Sequence, residues 1–202
     1  MRNRRKPKRT GEAGKSGGFT LMELLVVVTI IAILAGFLFP VVNGIIRKTR
    51  GSQAEQTAQN LKAAISAYFT DYRKYPARSD GGTIADVTVE SSHELMDILL
   101  PSDAEKRPGG LNTRGTGYYT GKTAKPISGG RYRSGVVLEA DGGGELWDPF
   151  GSYYRVRMDA DYNQRVDAPT WYTGLRLAER VIVWSPGPDR DDDDSGDNIK
   201  TW

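Results

Sequence analysis

Gly18-Phe19-Thr20-Leu21-Met22-Glu23-Leu24-Leu25-Val26-Val27-Val28-Thr29-Ile30-Ile31-Ala32-Ile33-Leu34-Ala35-Gly36-Phe37-Leu38-Phe39-Pro40 decides how the rest of the chain is read. From Leu24 to Ile46 there are 23 consecutive residues without a charge. Wound as a helix, that run would be roughly 35 Å long, enough to cross a hydrocarbon core with some tilt. It is also longer than the roughly 7–15 apolar residues of a secretory signal core, so a signal peptide cut near Ala35 fits poorly. Residues 1–18 carry seven cations (Arg2, Arg4, Arg5, Lys6, Lys8, Arg9, Lys15) against Glu12 alone, whereas only Arg47, Lys48 and Arg50 follow the run closely. That asymmetry predicts a cytoplasmic N-terminus and a body on the other side of the membrane. One residue does not suit a plain anchor. Glu23 places a carboxylate at the mouth of the apolar stretch, where burial without a partner is costly, and so it is a functional candidate.

Outside the first 18 residues, the chain holds 21 cations and 24 anions, a net −3, so the body offers no general basic surface and no nucleic acid partner is expected. The chain has no cysteine and one histidine, His93. Disulfides, thiolate zinc sites and multi-histidine metal sites are thereby excluded. A Ser/His/Asp triad would have to use His93, and no nucleophile elbow of the Gly-x-Ser-x-Gly kind is present.

Helical periodicity continues past the apolar run. Ala54, Ala58, Leu61, Ile65, Tyr68 and Tyr72 fall on one face at alternating spacings of four and three, and Pro76 ends the pattern. The spacing predicts one helix from about Thr20 to Tyr72, bent at Pro40. Residues 77–90 read as polar and irregular, 91–100 as a short helix capped by Ser91 or Ser92, and 101–134 as a long surface loop. Strands are predicted at Gly135–Glu139, Tyr153–Met158 and Arg180–Trp184. The fold class is α+β: a long N-terminal helix, its first half transmembrane, packed on a small antiparallel sheet.

Few segments carry chemistry. Gly117–Thr123 lacks the first glycine of a phosphate loop, with Thr116 in its place, and Gly142–Gly144 reads as a turn. His93 reads as a surface histidine without a partner. Asp159-Ala-Asp161-Tyr-Asn163-Gln164 begins like a calcium loop but has glutamine where the tight turn wants glycine and Thr170 where a bidentate glutamate belongs, so a turn is predicted. At the C-terminal end six carboxylates lie within the nine residues 189–197, between Ile182-Val183-Trp184 and Ile199…Trp202. Apolar anchors on both sides predict a closed loop, whose crowded carboxylates would be relieved by a hard cation such as calcium.

Gly18-Phe19-Thr20-Leu21-Met22-Glu23-Leu24-Leu25-Val26 resembles the processing site of the type IV pilin and type II secretion pseudopilin superfamily, in which Pro40 also has a counterpart. The resemblance implies cleavage between Gly18 and Phe19 by a prepilin peptidase, N-methylation of Phe19, and a role in assembly for Glu23. Ser185-Pro186-Gly187-Pro188-Asp189 with Asp197-Asn198-Ile199…Trp202 is similar to the calcium-binding "Ser-Leu-Gly-Ala-Asp … Asp-Ala-Asp-Ile … Trp" ending of major pseudopilins. Asn198 stands where aspartate is usual, and Arg190 with four aspartates replaces a glycine-rich run. Asp148-Pro149-Phe150-Gly151 with Tyr153-Tyr154 is similar to their "Asp-Pro-Trp-Gly … Pro-Tyr" turn. Calcium is then expected on Asp189 and Asp197 first, with Asn198, Asp191 and Asp193 next. The implied layout is a cleaved leader at 1–18, a transmembrane and assembly half-helix at 19–46, an amphipathic half at 47–75, and a periplasmic domain at 76–202 bearing the acidic loop 185–198.

The function so implied is structural, not enzymatic: a subunit of a type II secretion pseudopilus in the inner membrane. Its partners would be copies of itself, other pseudopilins, the prepilin peptidase and the secretion assembly platform. Two alternatives stand beside it. One is a type IV pilin for adhesion, motility or DNA uptake, which the acidic loop and the lack of a cysteine pair disfavour. The other is a calcium-dependent binding module on a pilin-type anchor, for which the 101–134 segment speaks.

Overall fold

The structure is a computed structural model that describes residues 18–78, 86–172, 174–193 and 196–202, with the side chains of 37–43 left out. The chain divides into two compact units, Met1–Ile45 and Ile46–Trp202. One helix, α1 (Leu21–Tyr72), passes from the first into the second. In the first unit its apolar side chains have no cover: Leu24, Ile30, Ile31, Ile33 and Leu34 are each more than half exposed. Among the described residues no helix is long and apolar enough to cross a membrane. The expected span and the bend at Pro40 run through 37–43, whose side chains are not described, and most of the leader, 1–17, lies outside the described residues.

In the second unit the face read from the sequence is the buried one. Ala54, Ala58, Leu61, Ile65 and Tyr68 are fully buried. The helix stops before Pro76. Arg73 turns left-handed at φ 57° while its N–H still reaches the Phe69 carbonyl at 2.8 Å, a helix-ending conformation that needs no proline.

The sheet under that face is antiparallel throughout, in the order β1 (Val87–Glu90), β6 (Arg155–Met158), β9 (Val181–Ser185), β10 (Ile199–Lys200). Every residue of β9 is buried, which is why it reads as an unbroken apolar run instead of an alternating one. Val181 and Val183 join the main core with Leu61, Ile65, Tyr68 and the apolar side of α2 (His93–Leu99). Ile182 and Trp184 face the opposite way, into a small cluster closed by Trp171, Leu177 and Trp202. Three further two-stranded pieces complete the fold: β2 (Lys125–Ile127) with β3 (Arg131–Arg133), β4 (Gly135–Leu138) with β5 (Gly144–Trp147), and β7 (Val166–Asp167) with β8 (Arg176–Leu177).

Several expectations need correcting. The 101–134 segment is not a bare loop: it contains α3 (Asp103–Lys106), the β2–β3 hairpin and the buried side chains Glu105 and Asn112. Asn112 donates through Nδ2 to the carbonyls of Ile98 and Thr116 at 2.7 and 2.8 Å, and its Oδ1 accepts from the Tyr72 hydroxyl at 3.0 Å. The segment is thus ordered by polar bonds that leave no hydrophobic period. Gly135–Leu138 is a strand, but it pairs with Gly144–Trp147 outside the main sheet. Ser92 occupies the N-cap of α2 without a side-chain bond. Ser91 is instead buried, bridging the Leu146 carbonyl at 2.7 Å and the Tyr154 N–H at 2.8 Å.

Candidate functional site

At the N-terminal motif, Gly18, Phe19 and Thr20 precede the first turn of α1 and are exposed. Thr20 and Glu23 close a reciprocal capping box. Glu23 Oε2 accepts from both the Thr20 N–H and the Thr20 hydroxyl at 2.9 Å, while the Thr20 Oγ1 accepts from the Glu23 N–H at 3.2 Å. Glu23 therefore has a local task, holding the helix start, that the sequence reading did not see. Six residues along, Thr29 donates its hydroxyl to the Leu25 carbonyl at 2.7 Å, as a polar side chain does in apolar surroundings.

In the second unit, Asp148 and Ser185 tie two distant segments together. Asp148 is fully buried. Its Oδ1 accepts from the N–H groups of Phe150, Gly151 and Ser152 at 2.8, 2.7 and 2.8 Å, and its Oδ2 accepts from the Ser185 hydroxyl at 2.6 Å. Burial pushes this carboxyl above the usual range, against those four bonds. Ser185 Oγ in turn accepts from the Gly187 N–H at 3.1 Å.

From Ser185 the chain enters the acidic loop, which is closed as expected: β10 pairs with β9 through Ile199 opposite Ser185 and Lys200 opposite Trp184. Gly187, at φ +79°, lies so close to the Asp197 carbonyl that a Cβ would sit 2.4 Å from its oxygen, so the loop tolerates only glycine there. Across this neck the Asp189 N–H reaches Asp197 Oδ2 at 3.3 Å. Asn198 donates to the Asp192 carbonyl at 3.0 Å, while its Oδ1 is buried and accepts no hydrogen bond among the described residues. An orphaned neutral oxygen is a donor a hard cation can use, but among the described residues the loop's carboxylates do not gather three together within ligand distance of one another. Asp191 and Asp193 lie further out, each accepted into a short turn: Asp191 N–H to Asp189 Oδ1 at 2.9 Å and Asp193 N–H to Asp191 Oδ1 at 3.0 Å. Asp192 faces inward, held by Arg155 Nε at 2.8 Å and Trp184 Nε1 at 3.1 Å. Asp194 lies outside the described residues.

A model of the prokaryotic N-terminal methylation motif matches residues 14–39. A fimbrial protein of Dichelobacter nodosus is 32% identical over 130 residues, covering 60% of this chain and 79% of that protein. The chain belongs to the type IV pilin and pseudopilin superfamily. A type IV major fimbrial protein, FimA, of the same organism is 33% identical over 121 residues and 75% of its length. The type IV major pilin protein PilE1 of Neisseria gonorrhoeae matches at 31% over 68 residues, 41% of its length. No solved structure matches significantly.

Two groupings in this pilin-type chain escaped the sequence reading. His93 is not partnerless: its Nδ1 lies 3.2 Å from Asp97 Oδ1, and its Nε2 lies 3.6 Å from Glu139 Oε1 and 3.5 Å from Glu145 Oε1. Burial works to lower its pKa, but the bond and charge of Asp97, with Glu139 and Glu145, raise it above the ordinary histidine value. Asp97 four residues on was the one readable signal. The second grouping is Asp86 with Asp159 and Asp161, whose carboxylate oxygens lie within 4.8 Å of one another. Asp159 and Asp161 belong to the stretch predicted as a turn, and it is one. Asp159 spends Oδ1 and Oδ2 on the N–H groups of Asn163 and Gln164 at 2.9 and 2.8 Å.

Proposed function

We propose that the chain is an inner-membrane-anchored filament subunit of a type II secretion pseudopilus, with its N-terminus cytoplasmic and its body periplasmic. A prepilin peptidase cuts between Gly18 and Phe19, Phe19 is N-methylated, and subunits then assemble with copies of themselves and with other pseudopilins on the secretion platform. The uncovered apolar face from Leu24 to Leu34 supports an anchor, since hydrocarbon or neighbouring helices would take over its burial. The observation that carries the secretion reading is the 2.6 Å bond from Ser185 to Asp148, which joins the two segments that each resemble a major pseudopilin. The same reading gives the loop one calcium ion, held by Asp189, Asp197 and Asn198, with Asp191 and Asp193 in reach. Bound there, calcium neutralises the carboxylates and cross-links the neck of the loop.

A fimbrial subunit is the second reading, and the relatives named above support it. The two separate by phenotype. Deleting the gene should stop release of an exported folded protein while surface fibres persist; loss of fibres with secretion intact overturns the first reading in favour of the second. Processing is tested by the intact mass of membrane-extracted protein, expected to begin at methylated Phe19. An uncut chain, or one beginning at Gly36, overturns the prepilin assignment. Glu23→Ala should leave that mass unchanged while reducing cross-linkable filament several-fold, because the carboxylate that would offset the new terminal amine is gone.

A further inference from the structure

Directly after the apolar run, the second unit carries a concave pocket of about 220 Å³ lined by four arginines, Arg47, Arg50, Arg133 and Arg190. Phe150 and Ile127 supply its apolar side. Among the described residues none of the four arginines forms an ion pair, whereas Arg155, partly buried like Arg50 and Arg133, pairs with both Glu90 and Asp192. No carboxylate lines the pocket. Arg47 and Arg50 come from α1, Arg133 from the end of β3, and Arg190 from the acidic loop at φ 64°. Residues this distant in sequence thus line one concavity in which positive charge predominates, a setting that favours an anion.

We infer that this pocket holds the phosphate of an anionic phospholipid headgroup, an inference that rests on the membrane-anchored reading above. Arginine forks match phosphate oxygens in pairs. The volume is below the roughly 300–1,000 Å³ of sites for drug-sized ligands and suits a headgroup. Arg47 and Arg50 stand one and four residues past Ile46, the last residue of the uncharged run, so they emerge at headgroup level if that run spans the bilayer. The acidic loop of a second copy fits less well. It would bring six carboxylates beside Asp189 and Asp191, the chain neighbours of Arg190, where a headgroup phosphate brings a single negative charge.

The test uses the full chain in a neutral detergent, with native mass spectrometry after incubation with phosphatidylglycerol, phosphatidylcholine or inorganic phosphate. Phosphatidylglycerol should bind at least about tenfold tighter than phosphatidylcholine, and Arg133→Gln and Arg190→Gln should each weaken it by roughly fivefold without changing the melting temperature. Equal binding of the two lipids, or no effect of the variants, overturns the inference. Inorganic phosphate that binds as tightly as phosphatidylglycerol and displaces it overturns the lipid source in favour of a soluble anion. Variants that lose cross-links between copies but keep lipid selectivity overturn it in favour of a protein partner. Membrane fractionation of the wild-type chain separates the two levels: absence from the membrane sinks both readings, whereas presence with unselective lipid binding sinks this one alone.

Discussion

At the scale of single residues, the most demanding position is Asp148, because one buried carboxylate satisfies three backbone N–H groups and a hydroxyl. Asp148→Ala strands all four, and each unsatisfied buried donor costs about 1–3 kcal/mol. The loss should reach about 3 kcal/mol or more, a fall in melting temperature of roughly 6–12 °C for a domain of this size. Asp148→Asn keeps an acceptor oxygen and should fall by less than half as much; equal losses would mean that charge, not hydrogen bonding, is what matters. His93 behaves differently, since its three carboxylate neighbours are partly exposed and screened. Its pKa is raised in the folded state. Protonated His93 therefore contributes stability that is complete below about pH 6.5, its unfolded value, and is lost as pH rises through the higher folded value. Melting curves between pH 5.5 and 8 should show this decline in the wild type and a flatter profile in His93→Gln. An unchanged profile would assign the decline to other groups. The sequence showed Asp97 four residues away, but not Glu139 and Glu145, which β4 and β5 bring from over forty residues off.

At the scale of elements, legibility followed length and locality. The helix stripe and Val181–Trp184 of β9 were plain, because a helical period and an unbroken apolar run are both local signals, whereas Ser185, the last residue of β9, was read as loop. β1, β7, β8 and β10 have four residues or two, too few for a period, and β1 finds its partner only in β6. The acidic loop lies between these cases. Its anchors were readable as apolar residues on either side of the carboxylates, whereas the diversion of Asp192 to Arg155 was not, because Arg155 belongs to the neighbouring strand. The loop's proposed ion should stabilise the folded state by about 2.7 kcal/mol at a hundredfold excess over its dissociation constant, or roughly 5–11 °C. The full chain should melt that much higher with calcium than with EDTA, and Asp189→Ala should remove most of the difference. Equal melting temperatures would leave the loop a solvated acidic turn.

At the scale of the whole molecule, the second unit depends on one side of a helix whose other end lies in the first. Leu61, Ile65 and Tyr68 are fully buried in a core shared with α2, β1, β6 and β9. Ile65→Ala removes a fully buried side chain from that shared core, and such truncations cost about 2–5 kcal/mol. The melting temperature should drop by roughly 4–20 °C, while Ala63→Ser, at an exposed position of the same helix, should leave it within about 2 °C. A similar small loss for both would deny the helix its place in the core. The capping box at the other end of α1 has a consequence of another kind. Thr20 and Glu23 are already each other's partners within a single chain. Both donors of Thr20 fall on one oxygen of Glu23, so the second carboxylate oxygen is left to face outward with its negative charge intact. Under the reading proposed above, a terminal amine would then find its acceptor already aimed, because the first turn of the helix holds the side chain still before any neighbour arrives. The order of a capping turn would in that case become the readiness of a joint.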